Sequence, residues 1–300
     1  MKKFLKTIIL SIFLLPIAVY AHDVKIPTDI KELALTKITD TVYVVHGLQT
    51  MPDKNNKGFI SNTGIVISDD GVVVVDTGGP AEPLIAKARE LDARVELVLL
   101  THHHWDHVEN TAAWVEAFGC DVAAHPLEAA RVGGGPGQVT RDLAGGDALE
   151  VGELSIACLH VPGHTDGQLN FVVTHDGTSE LFSGDTLFKG SVGGTRAPGH
   201  TTVDDLRHSI LEVLLALPRE WTVRPGHTDP TTIGAELDTN PFVQAWCGER
   251  APGEERIRVG DHDATLLLEA RDYDGGTKCW VRWEDGSEDV IPGSKVVRLG

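Results

Sequence analysis

Short apolar, β-branched runs broken by Gly, Asn and Asp open the body of the chain: ITDTVYVVHG (38–47), GIVISDD (64–70) and GVVVVDTGG (71–79). Runs of this kind bounded by turn residues predict successive strands. The apolar spacing becomes helical in AEPLIAKARELDA (81–93) and NTAAWVEAFG (110–119). It is clearest in VDDLRHSILEVLLALP (203–218), where Val203, Leu206, Ile210 and Leu214 share one face. Thr202 with Asp205 forms a capping-box pattern at its start, and Pro218 marks its end. Strands are expected again in VELVLL (95–100), ELSIACLHV (153–161), LNFVVTHDG (169–177) and SELFSGD (179–185). Irregular alternation of strands and helices is the pattern of a layered α/β fold. The glycine-rich segment 131–147 has no apolar period, and no GK[ST] follows its glycines, so it reads as a flexible loop and not a phosphate cradle.

Around APGEER (251–256) the pattern changes. The remainder alternates apolar and polar residues about DGG and DGS turns, which predicts a small β-rich, barrel-like module over 251–300 after a main body at 22–250. In so small a module Tyr273, Trp280 and Trp283 are expected to be core residues and not a ligand groove. No internal repeat is evident.

The N-terminus alters the picture of where the chain works. Lys2, Lys3 and Lys6 precede an apolar run from Thr7 to Val19 that closes on Val19-Tyr20-Ala21, the pattern of a cleaved secretory signal over 1–21. Pro16 interrupts the run, which falls short of the about 20 apolar residues a spanning helix needs. The expected location is periplasmic or secreted, with no stable membrane association once the signal is removed. The formal net charge is −18, and loss of the lysine-bearing leader makes it more negative. Such a field repels phosphate backbones and anionic lipid, and no Lys/Arg run offsets it. Nucleic acid is therefore excluded as a partner and a small-molecule substrate is favoured; nothing in the sequence sets an oligomeric state. Cys120, Cys158, Cys247 and Cys279 form no CxxC and no dense framework, so their spacing decides no pairing.

The candidate chemistry begins at THHHWDH (101–107). Imidazole nitrogen and carboxylate oxygen suit zinc, and the ligands must converge from several segments, because one short segment cannot wrap a tetrahedron. Further donors stand in VPGHTDG (His164), FSGDTLF (Asp185) and RPGHTDP (His227), each just after a strand-like run. Residues at strand ends facing one side of a sheet are placed to meet. In an extended segment His102 and His104 point the same way and His103 points elsewhere, which suits two ligands of one ion. Asp106 and His107 follow as the chain turns and suit a second.

The HxHxDH motif at His102, His104, Asp106 and His107, followed in order by His164, Asp185 and His227, resembles that of metallo-β-lactamase-fold hydrolases, with the match extending over about residues 38 to 245. The resemblance implies an αββα sandwich with the site at one edge. It implies a first metal on His102, His104 and His164, a second on Asp106, His107 and His227, and Asp185 bridging them. Asp76 in VVVVDTGG matches a structural aspartate that supports the metal loop. The implied cofactor is two zinc ions per chain, with iron or manganese as alternatives. His103 is expected to face solvent or support a ligand, His125, His160 and His200 to pack or hydrogen-bond near the loops, and Trp105 to shield the site.

Two cations sharing a water lower its pKa from 15.7 towards about 7, supplying a hydroxide nucleophile that Asp106 would orient or deprotonate. No GxSxG elbow is present or needed. GDTLFKG (184–190) with GHTDPTTIGAELDTNPF (226–242) is most similar to short-form glyoxalase II-like hydrolases, which implies cleavage of an acyl-glutathione-type thioester. An acidic β-rich tail stands where long-form glyoxalase II has a helical glutathione-binding domain, and export is awkward for a glutathione enzyme. The competing expectations are a periplasmic lactamase- or lactonase-type hydrolase and a mononuclear-iron persulfide dioxygenase, for which Asp106, His107 and His227 are not all needed. Lys189 and Arg196 could contact a substrate carboxylate, but solvated surface positions are the stronger expectation for both.

Overall fold

The computed structural model describes residues 33–299 apart from 69–70, 80 and 91–93; the signal-like segment 1–21 lies outside the described residues. Among these, no helix is long and apolar enough to cross a membrane.

The layering follows from sequences such as Val72–Val75, in which every residue is buried. Side chains alternate across a strand, so Val73 and Val75 enter the core between two sheets while Val72 and Val74 pack beneath helices. A strand buried on both faces reads as a continuous apolar run. The first sheet has seven strands, in the order Leu35–Lys37, Val42–Val45, Thr63–Ile67, Val72–Val75, Val95–Leu99, Asp121–Ala124 and Arg141–Asp142. It is antiparallel as far as Val72–Val75 and parallel beyond. The second has six: Thr231–Thr232, Thr222–Pro225, Thr178–Gly184, Leu169–His175, Leu154–His160 and Ala148–Val151. Helices Ala81–Glu90 and Thr111–Phe118 cover the outside of the first sheet. Helices Val203–His208, Ile233–Thr239 and Pro241–Trp246 cover the second. The result is the αββα sandwich that the resemblance implied.

Val203, Leu206, Ile210 and Leu214 are all buried, and the capping box between Thr202 and Asp205 is formed. The periodicity did not show that the second half, Ser209–Leu214, winds as a π-helix. Among the helices that were not anticipated, Ile233–Thr239 and Pro241–Trp246 are too short to show a period. Both are fixed by caps: Thr232 accepts from the N–H of Ala235, and Asn240 from those of Phe242 and Val243. The glycine-rich segment is entered from a helix, Pro126–Val132, that ends at Gly133. All four cysteines are free thiols, three of them buried.

The C-terminal strands Glu255–Val259, His262–Arg271, Thr277–Trp283, Glu288–Pro292 and Val296–Arg298 form a separate five-stranded sheet. Its two edge strands are consecutive in the chain, joined by the single turn Gly293–Lys295, so the sheet curls towards a barrel. One face has its own core of Ile257, Leu266, Cys279, Val281 and Ile291. Leu267, Leu268, Trp280 and Val290 instead share a core with Phe242 and Val243 of the main body. Thr195 ties the seam, donating its N–H to the Val290 carbonyl and accepting the Val290 N–H at its hydroxyl, both at 2.9 Å. Trp280 is thus a core residue, as expected, but of a core that joins two layers.

Candidate metal centre

Strand ends deliver the candidate ligands to one edge of the sandwich. The segment Thr101 to His104 follows Val95–Leu99, His164 follows Leu154–His160, Asp185 follows Thr178–Gly184, and His227 follows Thr222–Pro225. Asp106 and His107 lie on the one-turn helix Trp105–Val108. The loops close tightly here. A Cβ at Gly78 would lie 1.4 Å from the Asp106 carbonyl oxygen, and one at Gly226 2.4 Å from Asp185 Oδ1, so only glycine allows the approach.

Each of the five histidines anchors one ring nitrogen outward and turns the other inward. His107 Nδ1–H donates to Asp76 Oδ2 at 2.8 Å, His164 Nδ1–H to the Gly194 carbonyl at 2.7 Å, and His227 Nδ1–H to the Ile60 carbonyl at 2.8 Å. His102 Nδ1 lies 3.0 Å from Thr101 Oγ1, whose proton goes to Asp76 Oδ2 at 2.8 Å. His104 is reversed, donating Nε2–H to the Pro198 carbonyl at 3.0 Å. Fixing the outer nitrogen sets the tautomer and frees the inner lone pair for a metal. Asp76 carries much of this. Its Oδ1 also accepts the Thr101 N–H at 2.8 Å, and its backbone is left-handed at φ 57°, a conformation aspartate tolerates better than most residues.

The inner atoms gather in two groups. His104 Nδ1 lies 3.0 Å from both His102 Nε2 and His164 Nε2. With the outer nitrogens protonated, three lone pairs face one another with no proton between them, an arrangement that a cation resolves. Zn–N bonds of about 2.0–2.1 Å put tetrahedral ligands roughly 3.3 Å apart, close to this spacing. In the second group His227 Nε2 is 3.4 Å from Asp106 Oδ2, and His107 Nε2 is 3.9 Å from the same oxygen. Asp185 stands between the groups, with Oδ1 3.3 Å from His107 Nε2, and Oδ2 3.3 Å from His227 Nε2 and 3.5 Å from His164 Nε2. His107 Nε2 and Asp185 Oδ1 are buried without a hydrogen-bond partner among the described residues. Three donor triplets are metal-competent, each within 4.8 Å: His102, His104 and His164; His102, His107 and Asp185; and Asp106, His107 and His227. The residues present therefore fit two cations.

The electrostatics divide the same way. Burial holds the His102 imidazole well below its ordinary range and pushes His164 down to about 3, so the first group consists of neutral nitrogen donors. Burial also opposes charge on His107 and His227, but there the carboxylates win: Asp185, with Asp76 and Asp106, raises His107 well above its usual value, and Asp185 with Asp106 raises His227 to about 9. Asp185 itself, despite its burial, is held well below the usual carboxylate range by His227 and His107. Protons on these imidazoles balance the carboxylates in the metal-free protein, and bound cations would displace them.

Other expected residues take supporting places. His103 does not face solvent: its backbone N–H donates to Glu128 Oε2 at 2.9 Å, and its Nδ1 bonds the same oxygen. Glu128 Oε1 accepts from Thr165 Oγ1 at 2.6 Å and the Gly167 N–H at 3.0 Å, so this fully buried carboxylate clamps the His102–His104 loop to the His164 loop. His125 and His160 stack at 4.7 Å, and His200 Nδ1–H donates to the Ala197 carbonyl. Lys189 pairs with Asp229 at 3.3 Å, and Arg196 with Asp289 at 3.4 Å. Trp105 is exposed beside Gly58, where an added Cβ would meet its ring at 2.4 Å. Sequence reasoning missed Glu128, which carries no motif, and misplaced Tyr273. That ring stacks on His227, centroids 4.1 Å apart and planes 11° apart, instead of filling the C-terminal core.

Comparison with known proteins agrees with this geometry. The family model described as "Metallo-beta-lactamase superfamily" matches residues 56–227. An uncharacterized protein of Mycobacterium tuberculosis is 35% identical over 198 residues, covering 57% of this chain and 87% of the relative. Hydroxyacylglutathione hydrolase GloC of Haemophilus influenzae is 31% identical over 205 residues, covering 62% of this chain and 94% of GloC. Among solved structures, TTHA1623 in a di-iron-bound form superposes with a TM-score of 0.54 at 33% identity, covering 66% of this chain and 100% of that one. The chain belongs to the metallo-β-lactamase superfamily, as a metal-dependent hydrolase related to its glyoxalase II-like members.

Proposed function

We propose that the chain hydrolyses thioesters of the acyl-glutathione type with two zinc ions. The observation that carries this reading is the position of the Asp185 carboxylate between the two donor groups, within 3.5 Å of His164, His107 and His227. The relation to GloC, nearly all of whose length is matched, supports the substrate class. His102, His104 and His164 would hold one cation and Asp106, His107 and His227 the other, with Asp185 shared. When bound, two divalent cations supply Lewis acidity and lower the pKa of water towards about 7.

The chain's own residues orient that chemistry. The outward hydrogen bonds of the five histidines hold the inner donors in place before substrate arrives, which is the preorganisation that makes a polar site effective. Asp106, buried beside His227, is held below the usual carboxylate range: burial opposes this, and His107 and His227 outweigh it. It is therefore ionised, able to orient the attacking water and to take its proton. The acyl carbon would accept the water oxygen, the C–S bond would break, and the thiolate would leave with the proton that Asp106 has held. Iron is the second reading for the metal, favoured by the di-iron-bound form of TTHA1623.

A substrate panel tests the reading: S-lactoyl-glutathione, nitrocefin, a lactone and a phosphodiester with zinc-loaded protein, and oxygen uptake on a persulfide with iron-loaded protein. Preferential turnover of the thioester supports it. Exclusive turnover of nitrocefin or the lactone, or oxygen uptake with one iron per chain, would overturn it.

A further inference from the structure

The C-terminal sheet begins beyond residue 227, where the match to the superfamily model ends. Its hairpin tip nevertheless reaches the metal centre. The strands His262–Arg271 and Thr277–Trp283 are joined by Asp272, Tyr273, Asp274, Gly275 and Gly276, closed by a hydrogen bond from the Asp272 N–H to the Gly276 carbonyl at 3.1 Å. Tyr273 at this tip lies face to face with His227 and edge-on to Phe188, whose centroid is 5.9 Å away.

The ring is held from behind by an unusual device. Lys278 Nζ sits 5.3 Å from the Tyr273 ring and 5.4 Å from the Phe188 ring, and pairs with Asp272 at 3.0 Å. Both charged side chains are almost fully buried, 6% and 4% exposed. A buried ion pair is weak evidence of stabilisation, because desolvation offsets the attraction, whereas fixing one geometry is a better-attested use. Asp272 also accepts a hydrogen bond from Ser191 Oγ of the main body at 3.3 Å, so the pair locks the hairpin tip to the short two-stranded hairpin of Leu187–Phe188 and Ser191–Val192 that follows Asp185. The shared core at Trp280 and Val290 and the Thr195 hydrogen bonds make that docking continuous. The Tyr273 hydroxyl, in contrast to the rest of the tip, has no hydrogen-bond partner among the described residues.

We propose that the C-terminal sheet completes the substrate site, with Tyr273 forming the wall over His227 and offering its free hydroxyl to the acyl oxygen of the substrate. Lys278 and Asp272 are positioning residues that hold this ring. The sheet then supplies a substrate contact from the segment that follows the superfamily match. This inference rests on the hydrolase reading, and the ligand class is an acyl carbonyl or the carboxylate it becomes.

The test compares the full-length, zinc-loaded wild type with Tyr273→Phe, which keeps the stacked ring and removes only the hydroxyl, and with Lys278→Met. The quantities read are zinc content, melting temperature, affinity for acetate by calorimetry, and kcat and KM on S-lactoyl-glutathione. Tyr273→Phe should retain its zinc and melting temperature while acetate binding and kcat each fall about tenfold or more. Lys278→Met should change KM more than kcat. Unchanged acetate affinity and kcat in Tyr273→Phe, acetate binding absent from the wild type, or zinc lost with the hydroxyl would each overturn the proposal. A wild type that fails to cleave the thioester, yet binds acetate in a Tyr273-dependent way, would sink the thioester reading and leave this one standing.

Discussion

Glu128 binds His103 twice, at its backbone N–H and at its imidazole, and so fixes the residue that separates two candidate ligands of one cation. The same carboxylate reaches Thr165 and Gly167, next to the third ligand, His164. Glu128→Ala should leave these donors buried and unpaired, which costs about 3 kcal/mol. It should also weaken metal binding at His102, His104 and His164, because those loops are no longer clamped. Thermal melts of the metal-free protein with a chelator-competition titration would show both effects. A variant that melts and binds zinc as the wild type does would remove Glu128 from the account.

Asp76 orients His107 and, through Thr101, His102. Asp76→Asn is an informative change, because asparagine also accepts the left-handed backbone found here, so the effect reads the lost carboxylate and not new strain. An outer hydrogen-bond partner of a ligating histidine is typically worth 10- to 100-fold in metal affinity, and a loss of about that size is expected. Equal zinc affinity in the two proteins would show that His107 keeps its tautomer without Asp76.

Much of the fold and the centre was legible for a physical reason. His102 and His104 stand two apart in an extended segment, so side-chain alternation turns both the same way, whereas the convergence of His164, Asp185 and His227 with them was what the resemblance implied, and the one-turn helix carrying Asp106 and His107 was not foreseen. Val203, Leu206, Ile210 and Leu214 likewise announced a buried helical face. Glu128 was not legible, because a single acidic residue in an alanine-containing helix looks like a solvated charge until the fold brings two loops over it. Tyr273 was read as core because its composition suited one; its contact with His227 crosses the seam between two sheets, which no local spacing encodes. The π-helical turn at Ser209–Leu214 was hidden because its apolar residues still fall on one face.

His46 gives a pH prediction away from the candidate ligands. It is 4% exposed; burial, assisted by Arg224, pushes its pKa down to about 4. The unfolded-state value is about 6.5, so between pH 6.5 and 4 the unfolded chain takes up a proton that the native state lacks. Stability should therefore fall as pH falls through that window, by up to about 3 kcal/mol from this group. His46→Gln should flatten the dependence of denaturation midpoint on pH in that range. Parallel curves for the two proteins would show that His46 titrates normally when folded.

Residues 1–21 are proposed to be removed on export to the periplasm or beyond. Mass spectrometry of protein recovered from a periplasmic or secreted fraction should find an N-terminus at His22. Recovery of the intact N-terminus from the cytoplasm alone would contradict this.

A two-cation site in which Asp185 is shared is tested most directly by elemental analysis of purified Asp185→Asn beside the wild type, with thioester turnover measured on the same samples. The expected result is two metal ions per wild-type chain, with metal content and turnover lost together in the variant. One ion per wild-type chain, or a variant that keeps both its metals and its rate, would contradict it.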